Sequence, residues 1–365
     1  MKNRILFLLH LPPPVHGSSL VGQYIRDSKL LSQKFKCLYI NLLASKSVDQ
    51  SGKIRAYKIF SFVRTFSRLI IKLIFHRPNL CYLALTSTGA AFYRDVIIIA
   101  FLKLLRIKRI YHMHNKGVSR YQDRPIYSFF YKFVFKETAV IILAKSLYAD
   151  IKAFVPEKNI YILPNGIPPN HEINLKRNDY GTPNILFLSN LIESKGVFVL
   201  LEALAILKHK NVHHKAILIG GEGDITDELL QKKILELDIK ENVQYLGKQY
   251  GREKEEAFSQ ANIFVFPTYS ETFGLVNIEA MQYRLPIVST PEGGIPDIIE
   301  EGVNGFLVPQ RNAQALANKL EYLILQPEVR KKMGEAGYMK YRENYTLEKF
   351  ENSLLEILQK EIKSN

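Results

Sequence analysis

The stretch IFVFPTYSETFGLVNIEAM, from Ile263 to Met281, decides how this chain folds. It begins with the apolar run Ile263–Phe266, which is typical of a strand buried in a parallel sheet. A polar loop follows, and Gly274 precedes a segment, Leu275–Tyr283, that we interpret as a helix. A buried strand, a loop and a helix make up most of a β-α-β unit. The stretch therefore predicts an α/β fold built on a parallel sheet.

The same alternation of apolar runs and helical segments extends in both directions along the chain. Strands are predicted at Arg4–Leu9, Lys36–Asn41, Leu80–Leu85, Arg109–His114, Ala139–Leu143, Ile160–Leu163, Asn184–Ser189, Lys215–Ile219, Val243–Leu246, Ile263–Phe266, Pro286–Ser289 and Gly305–Val308. Helices are predicted between and after them, among them Ser19–Ser32, Arg55–Phe75, Leu147–Phe154, Asp224–Leu237 and Thr346–Lys363. The pattern indicates two doubly wound, Rossmann-like sheets facing each other across a cleft, with ligands at the carboxyl ends of their strands.

The domain boundary is predicted where the composition changes. Pro164, Pro168 and Pro169 precede the polar run Asn170–Thr182, which is typical of an interdomain linker. We predict an N-terminal domain over residues 1–165, a linker over 166–182 and a C-terminal domain over 183–345. A helix over 346–365 is expected to pack back on the N-terminal domain. A length of 365 residues fits two domains.

Charge is distributed very unevenly between the two halves. The whole chain carries +15, with 47% hydrophobic and 23% charged residues, which excludes a disordered chain. Residues 1–170 contain 27 Lys+Arg and 7 Asp+Glu, a charge of +20, whereas residues 171–365 contain 23 and 28, a charge of −5. The two halves are therefore expected to face different partners. Two cysteines, Cys37 and Cys81, exclude a disulfide scaffold and fit a reducing cytosol.

No segment is expected to cross a membrane. The N-terminal run Ile5–Leu11 is short, contains His10 and lacks a small-residue cleavage site, so a buried strand is a better interpretation than a signal peptide. The run Val96–Leu105 is interrupted by Lys103 and falls far short of the ~20 residues that span a bilayer. We therefore expect a cytoplasmic protein that is soluble or peripheral to the membrane.

The loop and helix after Ile263–Phe266 carry the strongest chemical signal. Glu271 is placed in the strand-to-helix loop, and Glu279 lies two turns into the helix. The helix start near Gly274 offers backbone N–H groups and the positive end of a dipole, which suits a pyrophosphate. A nearby carboxylate can accept hydrogen bonds from ribose hydroxyls. The alternative is a solvated helix start with a glutamate there by chance.

The stretch Ser270–Met281 resembles the Glu-x7-Glu motif of the retaining glycosyltransferases of family 4, which have the GT-B fold. Further features follow the family's order over roughly residues 5–310. They are Gly17, His114, Asn165-Gly166, Lys195-Gly196, Gly220-Gly221-Glu222-Gly223-Asp224, Gly293-Gly294-Ile295-Pro296-Asp297 and Gly302-Val303-Asn304-Gly305. The resemblance implies a metal-independent hexosyl- or N-acetylhexosaminyl-transferase with a nucleotide-sugar donor and no cofactor.

The resemblance also implies roles for single residues. Glu279 is expected to bind the ribose, Glu271 the sugar near its reacting carbon, and Lys195 the diphosphate, where it offsets charge on the leaving phosphate. The expected donor-binding residues are Gly17, Asn190, Gly220, Gly221, Glu222, Thr272, Phe273, Gly274, Leu275 and Glu279. The family commonly has an arginine at the position of Asn190, so one cation is missing or is replaced by another residue.

Glycines and histidines after the strands have two interpretations each. The glycines of the Gly220–Gly223 loop permit positive φ and close approach of a nucleotide, although an ordinary turn would also explain them. Gly17 is expected to approach phosphates or acceptor, with His16 where relatives often have a first glycine. The resemblance favours His114 over His112 as the active-site histidine. Two histidines without a third partner do not predict a metal site.

The basic half suggests an acceptor at a membrane. Residues 53–77 combine basic residues from Lys53 to Arg77 with many apolar ones and no acid, and Lys103, Arg106, Lys108 and Arg109 add a second cluster. Such a segment can lie on an anionic membrane, although a core helix with a charged outer face is the alternative. The expected acceptor is a saccharide or a saccharide linked to polyprenyl diphosphate, in surface polysaccharide synthesis such as that of capsule or O-antigen.

Two other functions are possible from the fold or the charge. A different GT-B enzyme, such as a nucleotide-sugar epimerase, would share the fold but accounts for neither the Glu271/Glu279 motif nor the basic half. A nucleic-acid-binding protein would explain the charge but not the nucleotide motifs in the acidic half. We therefore expect no nucleic-acid partner.

Overall fold

The computed structural model describes residues 2–43, 55–170 and 173–364, and only the backbone of 55–60. The chain divides into two compact units. The first comprises Met1–Gly166 together with Leu347–Asn365, and the second comprises Ile167–Thr346. Each unit is an α/β domain with its own sheet.

The first unit contains a six-stranded sheet in the order β2-β1-β3-β4-β5-β6, and every neighbouring pair is parallel. The strands are β1 Arg4–Leu9, β2 Lys36–Asn41, β3 Leu80–Leu85, β4 Arg109–Met113, β5 Ala139–Ile142 and β6 Ile160–Ile162. All six residues of β3 are buried, as expected of a central strand covered by helices on both faces.

Helices connect these strands. They are α1 Gly17–Asp27, α2 Lys29–Lys34, α3 Arg55–Phe75, α4 Gly89–Leu104, α5 Val118–Tyr121, α6 Pro125–Phe135 and α7 Tyr148–Ile151, with 3₁₀ turns at Lys145–Leu147 and Glu157–Asn159. The single helix predicted over Ser19–Ser32 is wrong, because Ser28 is extended and its side chain accepts from the Leu31 N–H, which starts a second helix. The helix predicted over Leu147–Phe154 is only one turn long.

The C-terminal helix α15, Leu347–Lys363, belongs to the first unit. Its apolar face, including Phe350, Leu354 and Leu358, is buried in the same cluster as side chains of β1 and α2. The Tyr161 hydroxyl at β6 also donates to Glu361 Oε1 at 2.7 Å. The last segment of the chain therefore completes the core that the first segment begins.

The second unit contains a six-stranded parallel sheet in the order β12-β11-β10-β7-β8-β9. The strands are β7 Asn184–Leu188, β8 Lys215–Ile219, β9 Val243–Tyr245, β10 Ile263–Phe266, β11 Ile287–Ser289 and β12 Gly305–Leu307. This is the strand order of dinucleotide-binding Rossmann sheets, and the winding direction reverses between β7 and β10. A ligand is expected beyond the carboxyl ends of these two strands.

Seven helices cover this second sheet. They are α8 Val197–His209, α9 Asp227–Glu236, α10 Gly251–Gln260, α11 Leu275–Gln282, α12 Ile295–Ile298, α13 Ala313–Leu325 and α14 Pro327–Asn344, and a 3₁₀ turn covers Glu193–Lys195. The predicted start of α9 at Asp224 is three residues early, because Thr226 is the N-cap and accepts from the Leu229 N–H. The prediction of two doubly wound parallel sheets is confirmed.

The segment interpreted as a linker makes specific contacts with the second unit. The Arg177 guanidinium donates to the carbonyls of Tyr283 and Arg284, and Lys176 pairs with Glu256 at 2.8 Å. In the part of the chain that the structure describes, no helix is long and apolar enough to cross a bilayer.

Candidate functional site

The charged pair Lys195–Glu271 lies at the switch point of the second sheet. Lys195 follows β7 and Glu271 follows β10, and these two strands are neighbours. The Lys195 ammonium donates to Glu271 Oε2 at 2.9 Å and to the Ser270 carbonyl at 2.8 Å. Both side chains remain about one fifth exposed, so the pair faces solvent where a ligand is expected.

Two glycines allow the loops around this pair to approach each other. A Cβ on Gly196, next to Lys195, would lie 2.1 Å from the Pro267 carbonyl oxygen, and Gly196 has a φ of +82°. A Cβ on Gly293 would lie 2.4 Å from the Glu271 carbonyl oxygen. Since any larger residue would collide with backbone, these glycines set the positions of Lys195 and Glu271.

The N–H groups before α11 are only partly available to an anion. Glu271 Oε1 accepts from the N–H groups of Thr272, at 2.8 Å, and Phe273, at 3.3 Å. The Phe273 side chain is buried against Tyr345, so it cannot face a ligand. Gly274, at a φ of +87°, is the N-cap, and the N–H groups of Leu275 and Val276 in the first turn have no partner within the helix. At this helix, fewer backbone N–H groups are therefore available to an anion than the sequence predicts.

Glu279 lies on α11 and is about one quarter exposed. Its Oε1 accepts from the Lys254 ammonium of α10 at 2.7 Å. Lys254 was not identified from the sequence. The carboxylate is thus held in one orientation by a partner on a neighbouring helix.

The glycine loop after β8 works differently from the sequence interpretation. Gly220, Gly221 and Gly223 do not use the positive φ that glycine permits, since positive φ among the described glycines falls at other positions. Instead, a Cβ on Gly220 would lie 1.7 Å from the Ser189 carbonyl oxygen, and one on Gly223 would lie 2.7 Å from that of Leu191. These glycines let the loops after β7 and β8 pack backbone against backbone.

The side chains of Asn190 and Lys248 both approach Gly221. A Cβ on Gly221 would be 3.6 Å from Asn190 Oδ1 and 3.2 Å from Lys248 Cδ. Lys248 follows β9 and is exposed, and its ammonium lies 5.2 Å from the Tyr250 ring centroid. Lys248 was not identified from the sequence, because it belongs to no motif. A cation is therefore present beside the residue that replaces the family's arginine.

In this structure the Glu222 carboxylate is engaged in a hydrogen bond within the second unit. Its Oε1 accepts from the Asp227 N–H at 2.7 Å, in the first turn of α9. A carboxylate at a helix N-terminus is stabilised by the dipole and by the free N–H groups there. The donor-binding role predicted for Glu222 stays untested.

In the first unit, the two histidines of β4 have separate environments. His112 is fully buried and its Nδ1 forms a hydrogen bond with the Tyr82 hydroxyl. His114 follows the strand and is partly exposed, and its ring centroid lies 4.0 Å from that of His112 with the two rings tilted by 40°. Burial lowers the pKa of both, so both are neutral near pH 7. The role predicted for His114 remains a prediction, and His112 is placed as a core residue.

His10 and His16 join this edge of the first sheet. Ser18 Oγ lies 3.3 Å from His10 Nδ1 and 3.1 Å from His16 Nδ1. Burial, with smaller contributions from nearby Arg94, His114 and His16, lowers the pKa of His10. His16 is the N-cap of α1, which explains an imidazole where relatives often have glycine. Gly17 is the exposed first residue of that helix.

The side chains that could bind a metal ion are those of His, Cys, Asp and Glu. Over residues 2–43, 55–170 and 173–364, no group of three His, Cys, Asp or Glu side chains is arranged to hold an ion. Cys81 is buried and Cys37 is partly buried, as expected for residues within strands.

Comparison with known proteins places the second unit in a family. Residues 171–340 match the family described as glycosyl transferases group 1. The chain is 30% identical over 226 residues to the amylovoran biosynthesis glycosyltransferase AmsK of Erwinia amylovora, covering 59% of this chain and 55% of AmsK. It is 28% identical over 234 residues to an uncharacterized glycosyltransferase of Methanocaldococcus jannaschii, covering 59% of each. The chain thus matches between half and two thirds of the length of these relatives.

The whole fold matches solved glycosyltransferase structures. HepE of Anabaena in complex with UDP superposes with a TM-score of 0.75 at 18% identity, covering 99% of this chain and 100% of HepE. The fold is therefore GT-B, and residues 171–340 are the part of the chain that matches the family described as glycosyl transferases group 1. The resemblance noted in the sequence is confirmed for the GT-B fold and for the match to glycosyl transferases group 1.

Proposed function

We propose that this protein is a retaining glycosyltransferase that moves a sugar from a nucleotide-sugar to a saccharide acceptor, carried on a polyprenyl diphosphate, in surface polysaccharide synthesis. The observation that carries the proposal is the Lys195–Glu271 pair at the switch point, with Glu279 on the helix that follows. AmsK, by its name, acts in amylovoran biosynthesis, and HepE has been solved with UDP.

The proposed mechanism gives each charged residue one task. Lys195 contacts the donor diphosphate and offsets the negative charge that grows on the leaving phosphate, so the proposal needs no metal. The first-turn N–H groups of α11 assist at the same oxygens. Glu271 contacts the sugar, and Glu279 accepts from the ribose hydroxyls. The leaving phosphate accepts the proton of the acceptor hydroxyl on the same face of the sugar.

A screen and a product analysis test this function. Thermal denaturation is measured with UDP-, GDP- and ADP-sugars, because a true donor binds the folded state and raises Tm. The stabilising donor is then incubated with a saccharide acceptor, and the anomeric configuration of the product is read by NMR. A product with the donor's configuration supports the proposal. An inverted product would contradict retention, and an isomerised free nucleotide-sugar would indicate an epimerase.

We assign Lys248 as the second cation on the diphosphate, in place of the arginine that Asn190 replaces. Lys248→Ala is expected to reduce kcat/KM by roughly tenfold or more, because a hydrogen bond to a charged group contributes about 1.5–3 kcal/mol. Adding Asn190→Arg to that variant is expected to restore most of the loss. Steady-state kinetics of both variants measure this.

The matched control for Lys248 is Lys233→Ala, which removes another lysine of the same unit, about one third exposed and paired with Glu236 at 3.6 Å. Its kinetics should match those of the wild type. Wild-type kcat/KM in Lys248→Ala would contradict the assignment.

The proposed membrane contact rests on apolar side chains exposed on basic helices of the first unit. Ile74 and Phe75 of α3 are 70% and 71% exposed, Leu104 of α4 is 77% exposed, and Phe129 of α6 is 67% exposed. A core helix with a purely charged outer face would not expose them. Lys53 lies outside the described residues, as do the side chains of Arg55 and Lys58. We propose peripheral binding at the cytoplasmic leaflet.

Liposome sedimentation tests the membrane contact. Replacing Ile74 and Phe75 with serine is expected to reduce binding to anionic vesicles at least about tenfold, because burying one such side chain contributes about 1.5–3 kcal/mol. Serine at Leu235 and Leu325, each 61% exposed in the second unit, is the matched control and should bind normally. Equal supernatant recovery of the wild type with and without vesicles would refute the proposal.

A further inference from the structure

Basic side chains meet at the amino ends of the strands in the first sheet. Arg4 begins β1 and Lys36 begins β2, and they are direct partners in the parallel ladder. Asn79, two residues after Arg77, is hydrogen-bonded to Arg4 through its side chain and its backbone N–H. Because parallel strands all begin at the same edge, residues that are far apart in sequence lie together there.

These residues line a pocket of about 810 Å³, a volume within the usual range of ligand sites. Among the residues that the structure describes, its lining includes five cations and no carboxylate: Lys2, Arg4, Arg26, Lys36 and Arg77. Arg26 is paired with Asp27 at 2.8 Å. The other four form no ion pair with any residue that the structure describes.

Two backbone N–H groups in the pocket wall already have hydrogen-bond partners. The Arg4 N–H donates to Asn79 Oδ1 at 2.8 Å, and the Lys36 N–H donates to the Asn3 carbonyl at 2.8 Å. These two N–H groups are therefore not available to a ligand, whereas the pocket offers the side chains of Lys2, Lys36 and Arg77. Converging like charges repel each other, and a bound anion removes that repulsion.

The pocket is distinct from the edge that carries the histidines. His10 and His114 follow the carboxyl ends of β1 and β4, whereas Arg4 and Lys36 are at the amino ends of β1 and β2. A second pocket of about 620 Å³ shares Tyr39 with the basic one, and Ile71 and Phe75 line it together with Arg68 and Lys72. Cationic and apolar surfaces are thus continuous here.

We propose that the pocket lined by Lys2, Arg4, Lys36 and Arg77 binds a phosphomonoester or diphosphate group. Lysine and arginine side chains bind phosphate oxygens as point charges and as planar forks, respectively. The group is either that of a free phosphorylated ligand or that of a lipid headgroup whose chain lies in the adjoining apolar pocket. The site is independent of the sugar transfer, because none of these residues has a task in that reaction.

The test uses the full chain in three forms: wild type, Lys2→Glu/Lys36→Glu, and a control, Lys152→Glu/Lys158→Glu. All four lysines are exposed, and both variants change the net charge equally. Binding is measured by calorimetry with inorganic pyrophosphate, and by sedimentation with phosphatidylcholine vesicles that contain or lack phosphatidic acid, whose headgroup is a phosphomonoester. A nucleotide-sugar thermal shift reports separately on the donor site. Lys2→Arg/Lys36→Arg, which keeps the charges, should behave as the wild type.

The pocket variant alone is expected to lose one equivalent of pyrophosphate, or about tenfold or more of its binding to phosphatidic acid vesicles. Loss of pyrophosphate binding identifies a free ligand, whereas loss of vesicle binding alone identifies a headgroup. Equal binding of both probes by the pocket and control variants would overturn the proposal. An absent nucleotide-sugar shift in all forms would instead count against the proposed transferase.

Discussion

Lys195→Ala is expected to lower kcat by about 10²- to 10³-fold while changing the KM for the nucleotide-sugar much less. The reason is that negative charge on the leaving phosphate grows between the bound donor and the transition state, so a cation there acts mainly on the chemical step. The Lys195 ammonium is already positioned by Glu271 Oε2 and the Ser270 carbonyl. Steady-state kinetics with the donor identified by thermal shift measure the effect.

The matched control for this experiment is Lys210→Ala. Lys210 also pairs with a glutamate of the second unit, Glu321 at 2.5 Å, but it lies just after α8, at the end of that helix opposite Lys195. A partly exposed surface pair contributes at most about 1 kcal/mol to stability, so this variant should retain full turnover. If Lys195→Ala also kept full kcat, its assigned role would have to be abandoned.

Glu279→Gln is expected to raise the KM for the nucleotide-sugar about tenfold to a hundredfold with a smaller change in kcat. The substitution keeps the shape of the side chain and removes its charge, and hydrogen bonds to a charged acceptor contribute about 1.5–3 kcal/mol. Ribose is bound equally in the ground state and the transition state, so its loss appears in KM. Initial rates over a range of donor concentrations give both constants.

Lys254→Ala separates ribose binding from a structural role of the Lys254–Glu279 pair. If Glu279 served only this pair, removing either partner would have the same effect on KM. If Glu279 binds the ribose, Lys254→Ala should raise KM much less than Glu279→Gln. Glu335→Gln, which breaks the Arg284–Glu335 pair at 2.9 Å, is the control and should leave KM unchanged.

Much of the fold could be predicted because its signals are local. Buried parallel strands are short apolar runs, and every predicted strand, from Arg4–Leu9 to Gly305–Val308, is present with its ends shifted by at most one residue. Two of the errors in the predicted helices lie where the side chain of one residue caps the start of a helix. Ser28 caps a new helix where the apolar spacing continues unbroken, and Thr226 sets the start of α9.

The candidate site was predictable only in part. The motifs identified Lys195, Glu271 and Glu279, but not that the first two pair with each other or that the third pairs with Lys254. Lys248 had no motif, because what makes it relevant is its position beside Gly221 across two strand-end loops. The reason for Gly220 was also missed, since the carbonyl that excludes a side chain belongs to Ser189 of another loop.

Local sequence patterns are enough to predict the two parallel sheets, the order of the loops at their carboxyl ends and the uneven charge of the two halves. These follow from apolar periodicity and composition, which are properties of neighbouring residues. Only the tertiary structure decided which charges meet. In the first sheet, the amino ends of neighbouring strands bring Arg4, Lys36 and Arg77 into one pocket. In the second sheet, the carboxyl ends of β7 and β10 bring Lys195 to Glu271. Strand order sets these distances, and no local pattern encodes it.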